Sequence, residues 1–318
     1  MGDHGEMNTI ETIEVDDPQS IALRLAARIA RLSKEVSKKA RALIDVKKIC
    51  DPIEFRNVYA IDSAYPSRPL DLVGLSLSLV AVVLVKHVYN RGTEAEYERK
   101  LIVSYFSELD QDMVAAIARE AERTIALRVL RDADVLIIDG EIVPYKRAQN
   151  YWRKPVSLAA RLLDEASRLQ VPVVGVIKRS YSSDLAKRLG LNLNDKSIAS
   201  MVLRRGEYLE LEPSLALLRE KGCKIVFYKP LKGLSEAIKL EVCPFNPSMD
   251  LCQLVSYLSR NAGASGLPWI IDIVDSLSKQ QVSLVEAIRR LLLGKLATRG
   301  EEGIVVAYPT NPQERGRQ

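Results

Sequence analysis

Val135-Leu136-Ile137-Ile138 is an unbroken apolar run, and three of its four residues are β-branched. A run this short, apolar at every position, is a strand covered on both faces of a sheet. Such a strand needs layers above and below it, which points to an α/β fold. The run stops at Asp139-Gly140-Glu141. An acid at the end of a buried strand, followed by glycine, puts a carboxylate at the sheet's edge with backbone close by. Asp-Gly also starts turns, so Asp139 alone reads equally as a ligand or as a turn residue.

The rest of the chain supplies the layers. Residues 57–62 form a second short strand that also ends in an acid, Asp62. Residues 69–89 read as one long strand bent near Gly74, and 101–106 as a further one. Helical periodicity covers 108–131, with Val114, Ile117, Ala121 and Ile125 on one side. A helix over 151–169 leads to a buried strand at 173–177, which ends in Lys178-Arg179-Ser180. Short helices follow at 182–189, closed by Gly190, and at 195–203. Strands are expected at 225–228, 238–242 and 304–308, and helices at 250–262, 268–278 and 283–293. The alternation gives a mixed central sheet with flanking helices. No internal repeat or Gly/Ser linker divides it.

Residues 18–49 read as one long helix, capped by Asp17 or Ser20, with Pro18 in its first turn. Leu25, Ile29, Leu32, Val36, Ala40 and Leu43 make an apolar stripe, and seven Arg or Lys residues from Arg24 to Arg41 occupy the other faces. The 20 residues at the start of the chain contain six acids and no Lys or Arg. The expected division is therefore an acidic flexible tail over 1–17, a basic amphipathic helix over 18–50 for a partner, a second copy or phosphate, one domain over 51–310, and a polar tail over 311–318.

Composition removes several classes of chemistry. There are two histidines, His4 and His87, so a histidine zinc site or a Ser-His-Asp triad is nearly excluded. The four cysteines (Cys50, Cys223, Cys243, Cys252) have no CxxC spacing, and without a signal peptide the expectation is reduced thiols in a cytoplasmic protein. No apolar stretch reaches the ~20 residues a membrane span needs. Aromatics are 6% of the chain, which argues against a surface of stacking platforms. GxxxxGK[ST], GxGxxG and GxSxG are all missing.

Catalysis in this chain must therefore rest on carboxylates and lysines. Asp62, Asp139 and Lys178 stand at three strand ends, where α/β sheets bind ligands. Carboxylates gathered there suit hard divalent cations such as Mg²⁺ or Mn²⁺. Such ions activate water and stabilise the leaving oxygen of a phosphodiester, and a lysine can hold the phosphate. A third acid on the preceding helix would be Glu120 or Glu122, and periodicity does not separate them.

These segments resemble the NurA family of archaeal DNA nucleases. Ala60-Ile61-Asp62-Ser63 is similar to the family's first motif, Leu136-Ile137-Ile138-Asp139-Gly140 to its second, and Val174–Ser180 to its lysine strand. The order extends over residues 57–280. The resemblance implies an RNase H-like core and a manganese-dependent deoxyribonuclease, with Mg²⁺ as the alternative ion. Its implied partners are DNA, a second copy in a homodimer, and a hexameric HerA-type helicase, and its implied setting is DNA-end resection and recombinational repair. The implied activity is a 5′→3′ exonuclease that also cuts single strands internally.

By position the resemblance makes Asp62, Glu120 and Asp139 metal ligands, with Glu120 fitting the family spacing better than Glu122, and puts Lys178 and Arg179 on DNA. Glu241 resembles the acid of a late strand. Two departures stand out. The first motif lacks its glycine, and Asp275 stands where the family often has a histidine. Asp275 can ligate a metal but cannot act as histidine does near neutral pH. The alternative reading is a catalytically weakened RNase H-fold protein that binds DNA or a motor.

Overall fold

A computed structural model describes residues 17–66, 69–72, 75–88, 95–106, 109–145, 149–233 and 236–298. Helix α1 (Pro18–Arg41) opens on Asp17, whose carboxylate accepts the Gln19 and Ser20 N–H groups. It ends eight residues before the expected boundary. Residues Val46–Lys48 instead form strand β1, because the edge of strand β8 (Glu207–Leu211) offers antiparallel partners.

Strand β2 (Asn57–Ala64) contains the first acid and runs two residues past it. The expected single strand over 69–89 is two strands, β3 (Leu70–Leu72) and β4 (Leu75–Val88), whose register pairs Leu72 with Leu75. Strand β5 (Ala95–Phe106) pairs with β4 along twelve residues, from Ser76–Phe106 to His87–Ala95. Helix α2 (Gln111–Val129) leads to β6 (Val135–Asp139), and α3 (Arg153–Leu169) to β7 (Val173–Ile177).

Beyond β7 lie α4 (Asp184–Leu189), α5 (Asp195–Val202), β8, α6 (Ala216–Glu220), β9 (Lys224–Tyr228) and β10 (Ile238–Cys243). Helix α7 (Leu251–Arg260) precedes α8 (Trp269–Thr298). Helix α8 is one element of 30 residues where two were expected, because nothing between Ser278 and Ser283 breaks a helix. The expected strand at 304–308 and both tails lie outside the described residues.

The described strands form one ten-stranded sheet. Its centre takes β2, β4 and β5, the first three strands of the core, as an antiparallel meander and adds β6 and β7 as its fourth and fifth, parallel to β2. That order, with the first strand between the second and the fourth, is the RNase H-like arrangement. Strands β10, β9, β8 and β1 extend it antiparallel from β7. Side chains alternate between two cores. Ile61, Leu136, Ile138 and Val173 face α2 and α3, whereas Ala60, Ile137, Val174 and Val176 face α7 and α8. A third core seats the end of α1, through Val36 and Ala40, against α4 and α5.

The cysteines differ from expectation. Cys50 is disulfide-bonded to Cys252 and Cys223 to Cys243. Both pairs are contacts made by the tertiary fold, 202 and 20 residues apart, so spacing along the chain gave no sign of them. Among the described residues no helix is long and apolar enough to cross a membrane.

Candidate metal centre

The parallel register sets the site. Ile61 pairs with Ile138, so the next residues, Asp62 and Asp139, lie side by side on the α8 face of the sheet. Asp139 pairs in turn with Val176, and Lys178 follows two residues later on the same face. From above, α8 brings Asp275. One carboxylate oxygen from each of Asp62, Asp139 and Asp275 lies within 4.8 Å of the others. The cleft around them has a volume of about 580 Å³ and is also lined by Arg119, Arg179, Asp272 and Lys279.

Burial makes this cluster electrostatically tense. Desolvation, then the Asp139 charge, pushes Asp62 up to about 7. Desolvation also raises Asp139, although the Lys178 ammonium opposes it. Lys178 Nζ donates to Asp139 Oδ2 at 2.5 Å and to Asp275 Oδ1 at 2.7 Å. Burial alone would lower Lys178, but these two acids more than offset it and its affinity for the proton rises. On Asp275 burial opposes ionisation, but hydrogen bonds from Lys178 and Lys279 hold its carboxyl below its usual range. Lys178 is thus the cation of the cluster here. Three carboxylates with oxygen donors only, converging on one point, fit a hard divalent ion.

A second, supporting layer reaches the site from the opposite face. Glu122 of α2 is fully buried. It accepts hydrogen bonds from Ser63 Oγ, from Arg119 Nη1 at 2.8 and 2.9 Å, and from Arg123. Desolvation pushes its carboxyl up, but Arg119 and Arg123 win and it lies below its ordinary value. Arg119 Nη1 also reaches the Asp139 carbonyl at 3.3 Å. Arg123 donates to the carbonyls of Glu141 and Ile142. The loop after β6 is therefore tied to α2.

The same loop is pinned from β10. Glu241 is fully buried and accepts Ile142 N–H at 2.7 Å and Tyr145 OH at 2.9 Å. Burial pushes its carboxyl up to about 7. Gly175 has no Cβ to spare here, because one would stand 2.6 Å from the Gly140 carbonyl oxygen. Gly140 itself adopts φ +115°, which favours glycine.

The family profile described as the NurA domain matches residues 56–280. This chain belongs to the NurA family. The fold agrees with solved NurA structures. The NurA nuclease from Sulfolobus solfataricus superposes with a TM-score of 0.62 at 14% identity, covering 87% of this chain and 94% of that one. A crystal structure of NurA with manganese gives 0.51 at 11% identity, covering 86% and 98%. No curated protein matched this chain in sequence.

Within this NurA fold the structure gathers Asp62, Asp139, Asp275 and Lys178, with Arg179 at the rim. It does not bring in Glu120. That side chain turns away from the cluster and pairs with Lys154 at 2.5 Å. The acid that faces the site from α2 is Glu122, two residues on and so on another face of the helix. His87 stands apart, edge-on to Trp269.

Sequence reasoning missed Arg119, Ser63 and Ser278. Ser278 Oγ donates to Asp62 Oδ2 from within α8, three residues after Asp275. Arg119 and Arg123, three before and one after Glu122, were the available signal, because a buried carboxylate needs cations beside it.

Proposed function

We propose that this protein is a divalent-metal-dependent deoxyribonuclease with its centre at Asp62, Asp139 and Asp275. The observation that supports this is the convergence of three aspartates, from β2, β6 and α8, within 4.8 Å of one another. Manganese is the ion of choice, since a NurA with a similar fold is known with manganese, and Mg²⁺ is the substitute. A divalent ion held there supplies activation of water and stabilisation of the departing 3′-oxygen.

The chain's own residues do the rest. Ser278 fixes the Asp62 carboxylate by its hydrogen bond. Lys178 neutralises Asp139 and Asp275 and stands ready to hold a phosphate oxygen. Arg179 borders the cleft and makes no hydrogen bond or ion pair among the described residues, so its guanidinium is open to a second phosphate. Glu122, Arg119 and Arg123 hold the end of β6 at Asp139 and the loop that follows it.

The finer reading extends this to a 5′→3′ exonuclease that also cuts single strands internally. It acts as a homodimer with a hexameric HerA-type helicase in DNA-end resection and recombinational repair, in the cytoplasm. The basic helix α1, whose first half exposes Leu23 and Ile29, is the surface assigned to the second copy or the motor.

The test incubates labelled single- and double-stranded DNA with Mn²⁺. Cleavage is expected from the wild type and is lost in Asp62→Ala and Asp139→Ala. Wild-type rates in both variants would refute the site. A catalytically weakened protein is the competing reading, favoured by the Lys178 bridge across two of the three acids. It predicts no cleavage with any divalent ion, together with retained binding of DNA or the motor.

A further inference from the structure

Tyr181 has the most exposed large hydrophobic side chain among the described residues, at 88%. It sits three residues after Lys178, on the loop between β7 and α4. In a chain with few aromatics, one phenol ring held in water beside the metal centre calls for a reason. The loop beneath it is ordered by its own bonds. Ser180 Oγ and Ser182 Oγ lie 2.9 Å apart, Lys239 Nζ donates to Ser182 Oγ at 3.1 Å, and the Ser182 carbonyl accepts Asp195 N–H at 2.8 Å.

Tyr181 stands on a ridge between two cavities, and both share Arg179, Ser180 and Tyr181. Arg179 also borders the metal cleft, so the three spaces are contiguous. The two flanking cavities differ in charge. One, of about 510 Å³, gathers Lys178, Arg179, Lys196 and Lys229 against a single acid, Glu236. The other, of about 410 Å³, sets Arg179, Arg188 and Lys239 against four acids, Glu141, Asp184, Asp195 and Glu212, with serine hydroxyls between them. A phosphate therefore prefers the first, where cations exceed acids, to the second, where acids slightly outnumber cations. A neutral nucleobase, with donors and acceptors on its edge, suits the second.

We infer that the 179–182 loop is a single-strand subsite, in which Tyr181 stacks on an unpaired base next to the scissile phosphate. The adjoining backbone phosphates lie in the Arg179–Lys196–Lys229 cavity. This rests on the nuclease reading and narrows its substrate. A base pairs with its complement or stacks flat on a side chain outside the helix, so the subsite selects unpaired ends and frayed strands. Stacking is indifferent to base identity, because every base has a π face.

The test titrates an oligothymidylate carrying a single 2-aminopurine into the full-length, metal-free protein, with the probe base moved along the strand. Wild type quenches the probe at one position. Tyr181→Ala is expected to lose that quench and to weaken binding about five- to a hundredfold. Tyr181→Trp keeps both. Tyr181 is exposed, so neither change threatens the fold. The double variant Lys196→Gln/Lys229→Gln flattens the dependence of log affinity on log salt by about 1.4, two single-strand phosphates' worth.

Unchanged quench and affinity in Tyr181→Ala would overturn the subsite, as would equal Tyr181 dependence with a blunt duplex of the same sequence. A wild type that binds and quenches as expected, yet cleaves no DNA with Mn²⁺, would leave the subsite standing and remove the nuclease reading.

Discussion

Two glutamates on α2 lead to opposite expectations. Glu122 is fully buried between Arg119 and Arg123, and Arg123 is itself fully buried. Replacing Glu122 by Gln keeps the volume but deletes the nearest and largest of the negative charges that compensate these guanidiniums, Glu141 and Glu241 being the weaker ones. Removing one partner of a buried ion pair costs about 3–5 kcal/mol, because the other charge is left uncompensated. Part of that is relieved at Arg119, whose side chain is 29% exposed and can swing into the cleft. Arg123 has no such escape, since its other donors are spent on the Glu141 and Ile142 carbonyls. The expected loss for Glu122→Gln is therefore about 3 kcal/mol. Glu120→Gln breaks only the pair to Lys154, which is 70% exposed, and should cost less than about 1 kcal/mol. Urea unfolding of both variants, analysed with a shared slope, measures the difference. Equal stabilities for the two variants would refute the assignment of Glu122 as the keystone behind Asp139.

Other expectations follow from the same contacts. Lys178→Met removes the cation that occupies Asp139 and Asp275, so calorimetric Mn²⁺ binding should tighten while DNA cleavage falls; weaker binding would show that Lys178 does not compete with the ion. Glu241 has a folded-state pKa raised from 4.5 to about 7, so the stability it contributes is complete below pH 4.5 and is lost as pH rises through 7. The stability of Glu241→Gln minus that of wild type should therefore grow by about 3 kcal/mol between those limits, and a pH-independent difference would refute the shift. Gly175→Ala sets a Cβ 2.6 Å from the Gly140 carbonyl, so it should cost about 1–3 kcal/mol and slow cleavage at temperatures where the variant is folded. A Gly175→Ala protein as stable and active as wild type would mean that this packing is slack.

How far the sequence could be read depended on which force set each feature. The strand at 173–177 was legible to the residue, because four Val and Ile residues around Gly175, between a helix and a Lys-Arg-Ser turn, read as a buried strand. The start of the 57–62 strand and its acid were legible from the apolar run Val58–Ile61 before Asp62, although the strand continues to Ala64. The choice between Glu120 and Glu122 was not, because α2 is covered by the sheet on one side and by α3 on another. Both residues then have apolar neighbours at three and four positions, and periodicity loses its contrast. The disulfides were invisible because they depend on how strands and helices pack, whether across 202 residues for Cys50–Cys252 or 20 for Cys223–Cys243. The end of α1 was overrun because Leu43 continues its apolar stripe, and only the free edge of β8 explains why the chain leaves the helix.

The division of α8 into two helices had a more instructive cause. Ser278, Lys279, Gln280 and Gln281 form a polar patch that breaks the apolar pattern, and a polar patch normally marks a loop. Here it marks the place where the helix crosses the sheet. Ser278 is 1% exposed and bonded to Asp62, and Gln281 is buried with its amide on the Leu277 carbonyl. Two of the four polar residues thus serve buried contacts, while Lys279 and Gln280 face water on the outer side of the same helix. Continuity of the helix then has a functional consequence. Asp275, Ser278 and Lys279 stand at i, i+3 and i+4 of one rigid rod, so their spacing is fixed by helix geometry. Farther along, Val285 is buried among Leu70, Leu77 and Leu79 and clamps that rod to β3 and β4. A hinge at 279–282 would let the first half of α8 drift from the sheet, and Asp275 would leave the other two acids. The third carboxylate is thus positioned by packing ten residues away, in a segment whose sequence reads locally as a break.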